Sequence, residues 1–199
     1  MKSEKLFHYI LFYKPFGVLS QFTPESGHRS LKDFGPFPPD VYPVGRLDAN
    51  SEGLLLLTND NNVKHRLTTS RFSHERTYLV QIEKIPTETS LQQLRNGLLI
   101  EGRKTSPAEV RLLSVEPPLP SRPVPIRHRK NVPTCWLELK LTEGRNRQVR
   151  KMTAAIGHPT LRLVRTHIGF LSLDGLTPGE SRVLDRKEVL RLMKAVGER

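Results

Sequence analysis

A single cysteine, Cys135, occurs in the 199 residues, so an internal disulfide is excluded. Seven histidines are dispersed, with no HxH or HExxH spacing, and no Cys/His cluster has the spacing of zinc ligands. A metal centre and a histidine-based triad therefore have no support, and Cys135 reads as a small buried hydrophobe. There is no G-x-x-x-x-G-K phosphate loop and no dinucleotide fingerprint, so the expectation is an activity without cofactor or metal. Long apolar runs are also missing. The apolar start of the chain is interrupted by His8, closed by Lys14 and followed by no small-residue cleavage site. Neither a signal peptide nor a membrane span is expected, and the expected compartment is the cytoplasm.

Acidic charge is scarce, and scarce in one region above all. The net charge is +12. Residues 1–60 hold six Lys/Arg against seven Asp/Glu, whereas residues 121–165 hold eleven Lys/Arg against Glu138 and Glu143 alone, a balance of plus nine. Charge concentrated in this way marks a face for a polyanion. A solvated basic surface on a ribosome-associated protein would give the same count.

The apolar pattern predicts alternating short elements. A strand is expected over Leu6 to Tyr13, a helical turn near Ser30 to Asp33, and a strand over the run Leu54 to Leu57, which is short enough to be covered on both faces. A helix over Asn61 to Leu67 capped by Asn59 or Asp60 should follow, then a strand from Glu75 to Ile82. Pro86 and Thr87 open a helix bearing Leu91, Leu94 and Leu98, and a strand is expected from Ser106 to Glu116. Six prolines among basic residues make 116–133 a basic loop that orders on a polyanion, or a plain insertion. Thr134 to Thr142 alternates as a half-buried strand, with Leu137, Leu139 and Leu141 on one face and Trp136, Glu138 and Lys140 on the other. Val149, Met152, Thr153 and Ile156 are spaced for a packed helix ended by Gly157, followed by strands at Thr160 to Arg165, Phe170 to Leu173 and Arg182 to Leu184. Asp185 and Glu188 have capping-box spacing for a last helix. The whole predicts a mixed α/β or α+β fold with a broad central sheet.

The candidate chemistry centres on VGRLDANSEGLLLLTND, residues 44–60, where a polar turn meets the leucine strand. A carboxylate there, Asp48, is held by a rigid element and, beside cations, stays ionised and available as nucleophile or base. Tyr78 can stack on a nucleobase and offer a hydroxyl. Arg147, Arg150 and Lys151 make a basic helix suited to phosphates, and Arg127, Arg129 and Lys130 extend that character into the loop. Singly, each has a bland alternative: a capping aspartate, a core tyrosine, solvated arginines. A noncatalytic RNA-binding or ribosome-assembly protein and a metal-independent nuclease are the competing functions, although the nuclease lacks a paired carboxylate or histidine pair.

Four segments in order, GRLDANSEGLLLLTND (45–60), ERTYLV (75–80), EGRNRQVRKM (143–152) and LRLVRTHIGFLSLDGLTPGESRVL (161–184), resemble the small-subunit-type branch of ribosomal RNA pseudouridine synthases. The likeness runs from about Tyr9 to Leu192. It is greatest to a short member acting on the large subunit, in which the N-terminal S4-type RNA-binding domain is absent. The resemblance implies an α+β fold with a mostly antiparallel central sheet, one catalytic domain over 1–199 with lobes at about 1–74 and 75–199 and a cleft across the sheet. It implies an isomerase that needs no cofactor and binds ribosomal RNA, most of all large-subunit RNA, with no obligate protein partner; a monomer is expected. It implies Asp48 as the catalytic aspartate, Arg46 as an aid to RNA and base positioning, Tyr78 as the ring stacking on the target uracil, Arg150 as the partner of the aspartate, and Leu161 as an apolar contact to the base. Three routes remain open for Asp48: attack at C1 of the ribose, attack at C6 of the base, or removal of the ribose C2 proton.

Overall fold

A computed structural model describes residues 6–25, 27–69, 74–126 and 129–197. It divides into two compact units, one joining the described residues of 1–72 to those of 173–199, the other formed by those of 73–172.

In the first unit, strand β1 (Tyr9–Lys14) is buried along its whole length and pairs antiparallel with β3 (Glu52–Thr58), from Tyr9 opposite Thr58 to Lys14 opposite Gly53. All seven residues of β3 are buried, which explains why its leucine run does not alternate. The edge strand β2 (Tyr42–Pro43) also pairs with β3. A short 3₁₀ turn at Leu31–Phe34 follows Ser30, where helical character was expected. Phe12 packs with Leu31, Leu55 and Leu57 in the core of this unit, and the rings of Phe34 and Phe37 lie against it at 5.5 and 5.9 Å. Helix α1 (Asn61–Thr68) is capped by Asp60, whose carboxylate accepts from the N–H groups of Asn62 and Val63. Near the C-terminus, β11 (Ser181–Val183) pairs with β1, so the described residues from 173 onward return to the N-terminal segment. This adds a feature to the simple division near residue 74. The closing helix α4 (Arg186–Ala195) has the expected capping box of Asp185 and Glu188.

The second unit is an antiparallel sheet in the order β9-β4-β8-β7. Its strands are β4 (Arg76–Glu83), β7 (Glu109–Leu112), β8 (Thr134–Leu141) and β9 (Thr160–Ile168), with β10 (Leu171–Ser172) on β9. Helices α2 (Glu88–Asn96) and α3 (Gln148–Ala155) contribute Leu91, Leu94, Val149 and Met152 to a core shared with Val80, Leu137, Leu139 and Leu141.

Four details depart from the sequence pattern. Helix α2 stops at Asn96, because Gly97 takes a positive φ of 80°, and Leu98 packs on the core from beyond the helix. The strand expected over Ser106 to Glu116 is confined to Glu109–Leu112, an edge strand with only Val110 buried. A hairpin of β5 (Leu99–Ile100) and β6 (Arg103–Lys104), absent from the periodicity, precedes it. Trp136, assigned to the more polar face of β8, is itself buried, so both faces of that strand are covered there.

The fold is α+β, with antiparallel sheet in each unit and helices packed on it. Among the described residues no helix is long and apolar enough to cross a membrane.

Candidate active site

Asp48 is half-buried in the turn that feeds β3. The turn closes through the Ser51 N–H, which donates to the Asp48 carbonyl at 3.0 Å, while Val44 N–H ties its entry to Leu56 O at 2.7 Å. Both residues flanking Asp48 are held by their backbone. Leu47 N–H donates to Ser20 Oγ at 3.0 Å, and the same hydroxyl donates to Leu47 O at 2.7 Å. Ala49 O accepts from Gly17 N–H at 2.7 Å and from Lys14 Nζ at 3.4 Å. A residue clamped on each side keeps its Cα in one place, which is what a reacting carboxylate needs. Gly45 makes the entry with φ +72°, a conformation that a side chain would strain. Arg46 is exposed beside the clamp.

Lys14 is fully buried, at 0% exposure, and its ammonium also donates to Pro15 O at 2.8 Å and Val18 O at 2.7 Å. Charge-assisted bonds to several carbonyls offset the desolvation of a buried cation. In the sequence alone Lys14 is only the end of a strand, and Ser20 lies inside a loop. A lysine closing an apolar strand just before Pro-Phe-Gly was the available signal for the first; a lone serine offers none.

In the second unit Tyr78 lies on β4 with 8% exposure, opposite Arg165 on β9, which is 4% exposed. The guanidinium lies close enough to the Tyr78 side chain for the two to interact. Burial draws the Arg165 pKa down, the neighbouring Tyr78 acts against that shift, and nearby Arg76 adds to it. Arg165 was missed by sequence reasoning, because a basic residue in an apolar strand looks like one more surface charge until the register is known.

Two irregularities in the β4–β9 pairing fall at the candidate residues. The register shifts between Thr77 and Tyr78, passing over Thr166, whose hydroxyl donates to Thr77 O at 3.3 Å. It shifts again between Gln81 and Ile82, passing over Leu161. Bulges bend a strand and re-aim its side chains, so Tyr78 and the half-buried Leu161 both sit where pairing is interrupted.

Arg150, half-buried on α3, donates through Nη1 to Thr160 O at 3.4 Å, next to Leu161. Thr153 and Thr160 hydroxyls, 2.7 Å apart, tie the same helix to β9. Arg150 and Leu161 are thus neighbours. Lys151 turns instead to Glu101 on the β5–β6 hairpin, and Arg147 is exposed at the start of α3 with φ +52°. Arg129 meets Glu83 at 3.4 Å, at the end of β4 about 17 Å along the strand from Tyr78. Lys130 is exposed close to it, and Arg127 lies outside the described residues. Burial raises the Cys135 thiol pKa, the direction opposite to that of an activated nucleophile.

This architecture matches a solved structure described as a pseudouridylate synthase, at TM-score 0.77 and 28% identity over 96% of this chain and 76% of that one. The fold is therefore that of a pseudouridine synthase catalytic domain. The sequence profile of the family described as RNA pseudouridylate synthase matches residues 8–155, and the chain belongs to that family. It is 53% identical to the ribosomal large subunit pseudouridine synthase E of Xanthomonas campestris pv. campestris over 182 residues, covering 90% of this chain and 97% of the relative. It is 39% identical to the ribosomal large subunit pseudouridine synthase B of Bacillus subtilis over 185 residues, covering 92% of this chain and 70% of the relative. The protein is an isomerase that makes pseudouridine from uridine in RNA.

Proposed function

We propose that the protein converts a uridine of large-subunit ribosomal RNA to pseudouridine, with Asp48 as the catalytic carboxylate. The reaction breaks the bond from N1 of uracil to C1 of the ribose and forms one from C5 to the same carbon. The proton on C5 is lost and N1 gains one, so no redox partner, water or nucleotide is consumed. The observation that carries the assignment is the clamp on Leu47 and Ala49, which holds Asp48 between two tethered neighbours. An ionised Asp48 serves attack at C1 of the ribose, attack at C6 of the base or removal of the ribose C2 proton.

Tyr78, beside Arg165, supplies a ring to stack on the uracil, offsetting part of the cost of taking the base out of its stack. Leu161 offers an apolar contact to the same ring, and Arg150 is the countercharge for the carboxylate. Arg46, Arg147, Lys151, Arg127, Arg129 and Lys130 bind the RNA backbone. The large-subunit substrate is supported by the relatives, which are named for it.

The test is to incubate the protein with unmodified large-subunit and small-subunit RNAs and map pseudouridine by base-specific chemistry. Pseudouridine at one position of the large-subunit RNA is expected. Conversion confined to small-subunit RNA overturns the substrate and leaves the reaction standing.

A further inference from the structure

Away from Tyr78, the second unit has a cavity of about 210 Å³ lined by Glu101, Arg103, Arg145, Asn146, Gln148 and Lys151, among others. Polar side chains of its lining pair with one another and with Glu143. Arg145 binds Glu143 at 3.1 Å and donates to the carbonyls of Arg103 and Lys104, fastening the β5–β6 hairpin to the segment before α3. Buried Gln148 donates to Glu143 at 2.6 Å and accepts from Arg145 N–H at 3.0 Å. The rim is cationic, with Arg103 and Lys151 lining the cavity and Arg147 between two of its lining residues.

One acidic group interrupts that rim. The Glu101 carboxylate places its two oxygens 2.8 and 2.9 Å from Lys151 Nζ. Glu101 and Gly102 form the two-residue turn between β5 and β6, with φ +51° and +75°. A turn with both central residues left-handed favours Asn, Asp or Gly at the first position, and glutamate is a costly choice there. Among the described residues only Lys84, Glu101 and Arg147 combine a side chain with positive φ; Glu101 lines this cavity, and Arg147 lies in the chain between two of its lining residues. Backbone strain of this kind accumulates where a side chain has a task.

We propose that the cavity is a phosphodiester subsite for the RNA strand, with Glu101 as a tethered stand-in for the phosphate on Lys151. The inference rests on the RNA-modifying role above and adds Arg103, the hairpin and a displacement step to it. The Glu101 side chain is 73% exposed, so its ion pair is screened by water and exchange for another anion costs little. A tethered carboxylate has a high effective concentration and outcompetes dilute free anions. A strand already bound elsewhere on the chain delivers its phosphate with the same advantage. The subsite therefore responds to an engaged polymer and ignores stray phosphate.

The experiment measures affinity for an unmodified ribosomal RNA fragment, its salt dependence and the melting temperature of each variant. Glu101→Gln and Glu101→Gly are expected to tighten binding by about threefold to tenfold, by unmasking one phosphate contact in a rim of several. Lys151→Gln and Arg103→Gln weaken it and each reduce the slope of log affinity against log salt by about 0.7. Glu101→Gln in a Lys151→Gln background gives no tightening. Glu101→Gly relieves the turn, which keeps the test free of folding loss. Unchanged or weaker RNA binding in both Glu101 variants, with a lower melting temperature for Glu101→Gln, overturns the proposal and leaves the ion pair as a hairpin staple. Should the parent make no pseudouridine in any RNA while the Glu101 variants still bind more tightly, the enzyme reading fails and the subsite stands.

Discussion

Asp48 depends on a serine far from it in sequence. One hydroxyl, Ser20 Oγ, satisfies both backbone groups of Leu47, and Gly17 with Lys14 holds Ala49. Asp48→Asn is expected to abolish isomerisation while RNA binding stays near the parent value, measured by pseudouridine mapping alongside a binding assay. Ser20→Ala should lower the single-turnover rate by about 10- to 100-fold, as expected when a reacting group is misplaced by about an ångström. RNA affinity should hold, and Ser20→Thr should restore part of the rate because it keeps the hydroxyl. A rate loss matched by loss of binding, or by global unfolding, would remove Ser20 from the positioning role. That Asp48 is a candidate carboxylate was legible, since it stands in a polar turn before an apolar strand. Ser20 was not, because its importance lies in one contact made across 27 residues of chain.

At the scale of elements, the ends of helices carry testable energy. Asp60 caps α1 through two backbone N–H groups and accepts from the Tyr9 hydroxyl at 2.7 Å, so it fastens α1 to β1. Asp60→Ala should cost about 1–3 kcal/mol, the loss of a cap and of a buried acceptor, read by denaturant unfolding. Helix α4 offers a pH test. The hydrogen bond and charge of Arg182, with the Asp185 backbone N–H, hold the Glu188 carboxyl below its ordinary range. A lowered acid pKa adds stability above the unfolded-state value and loses it as pH falls through the folded-state value. Glu188→Gln should therefore melt below the parent at pH 7, by about 1 kcal/mol or less because the pair is solvent-screened, and the gap should close below about pH 4. The capping box and the leucine strand were readable because their signals are local. The β5–β6 hairpin was not: strands of two residues have no period, and only the Gly102 turn hinted at it.

For the molecule as a whole, charge governs how RNA is held. With plus nine of the net charge of +12 in residues 121–165, affinity should fall by about 50- to 100-fold between about 50 and 200 mM salt for roughly four neutralised phosphates. A filter-binding salt series checks this, and a flat series would contradict a phosphate-dominated interface. The sequence by itself determined the reaction class and the α+β character and singled out Asp48 as the candidate carboxylate, because motif, apolar period and charge are written along the chain. The tertiary structure decided the partners: which serine clamps the turn, which arginine faces Tyr78 across a bulged register, and that β11 rejoins the N-terminal strand. Those outcomes depend on strand pairing and burial between residues distant in sequence, where a one-residue slip changes every neighbour, and no local pattern encodes them.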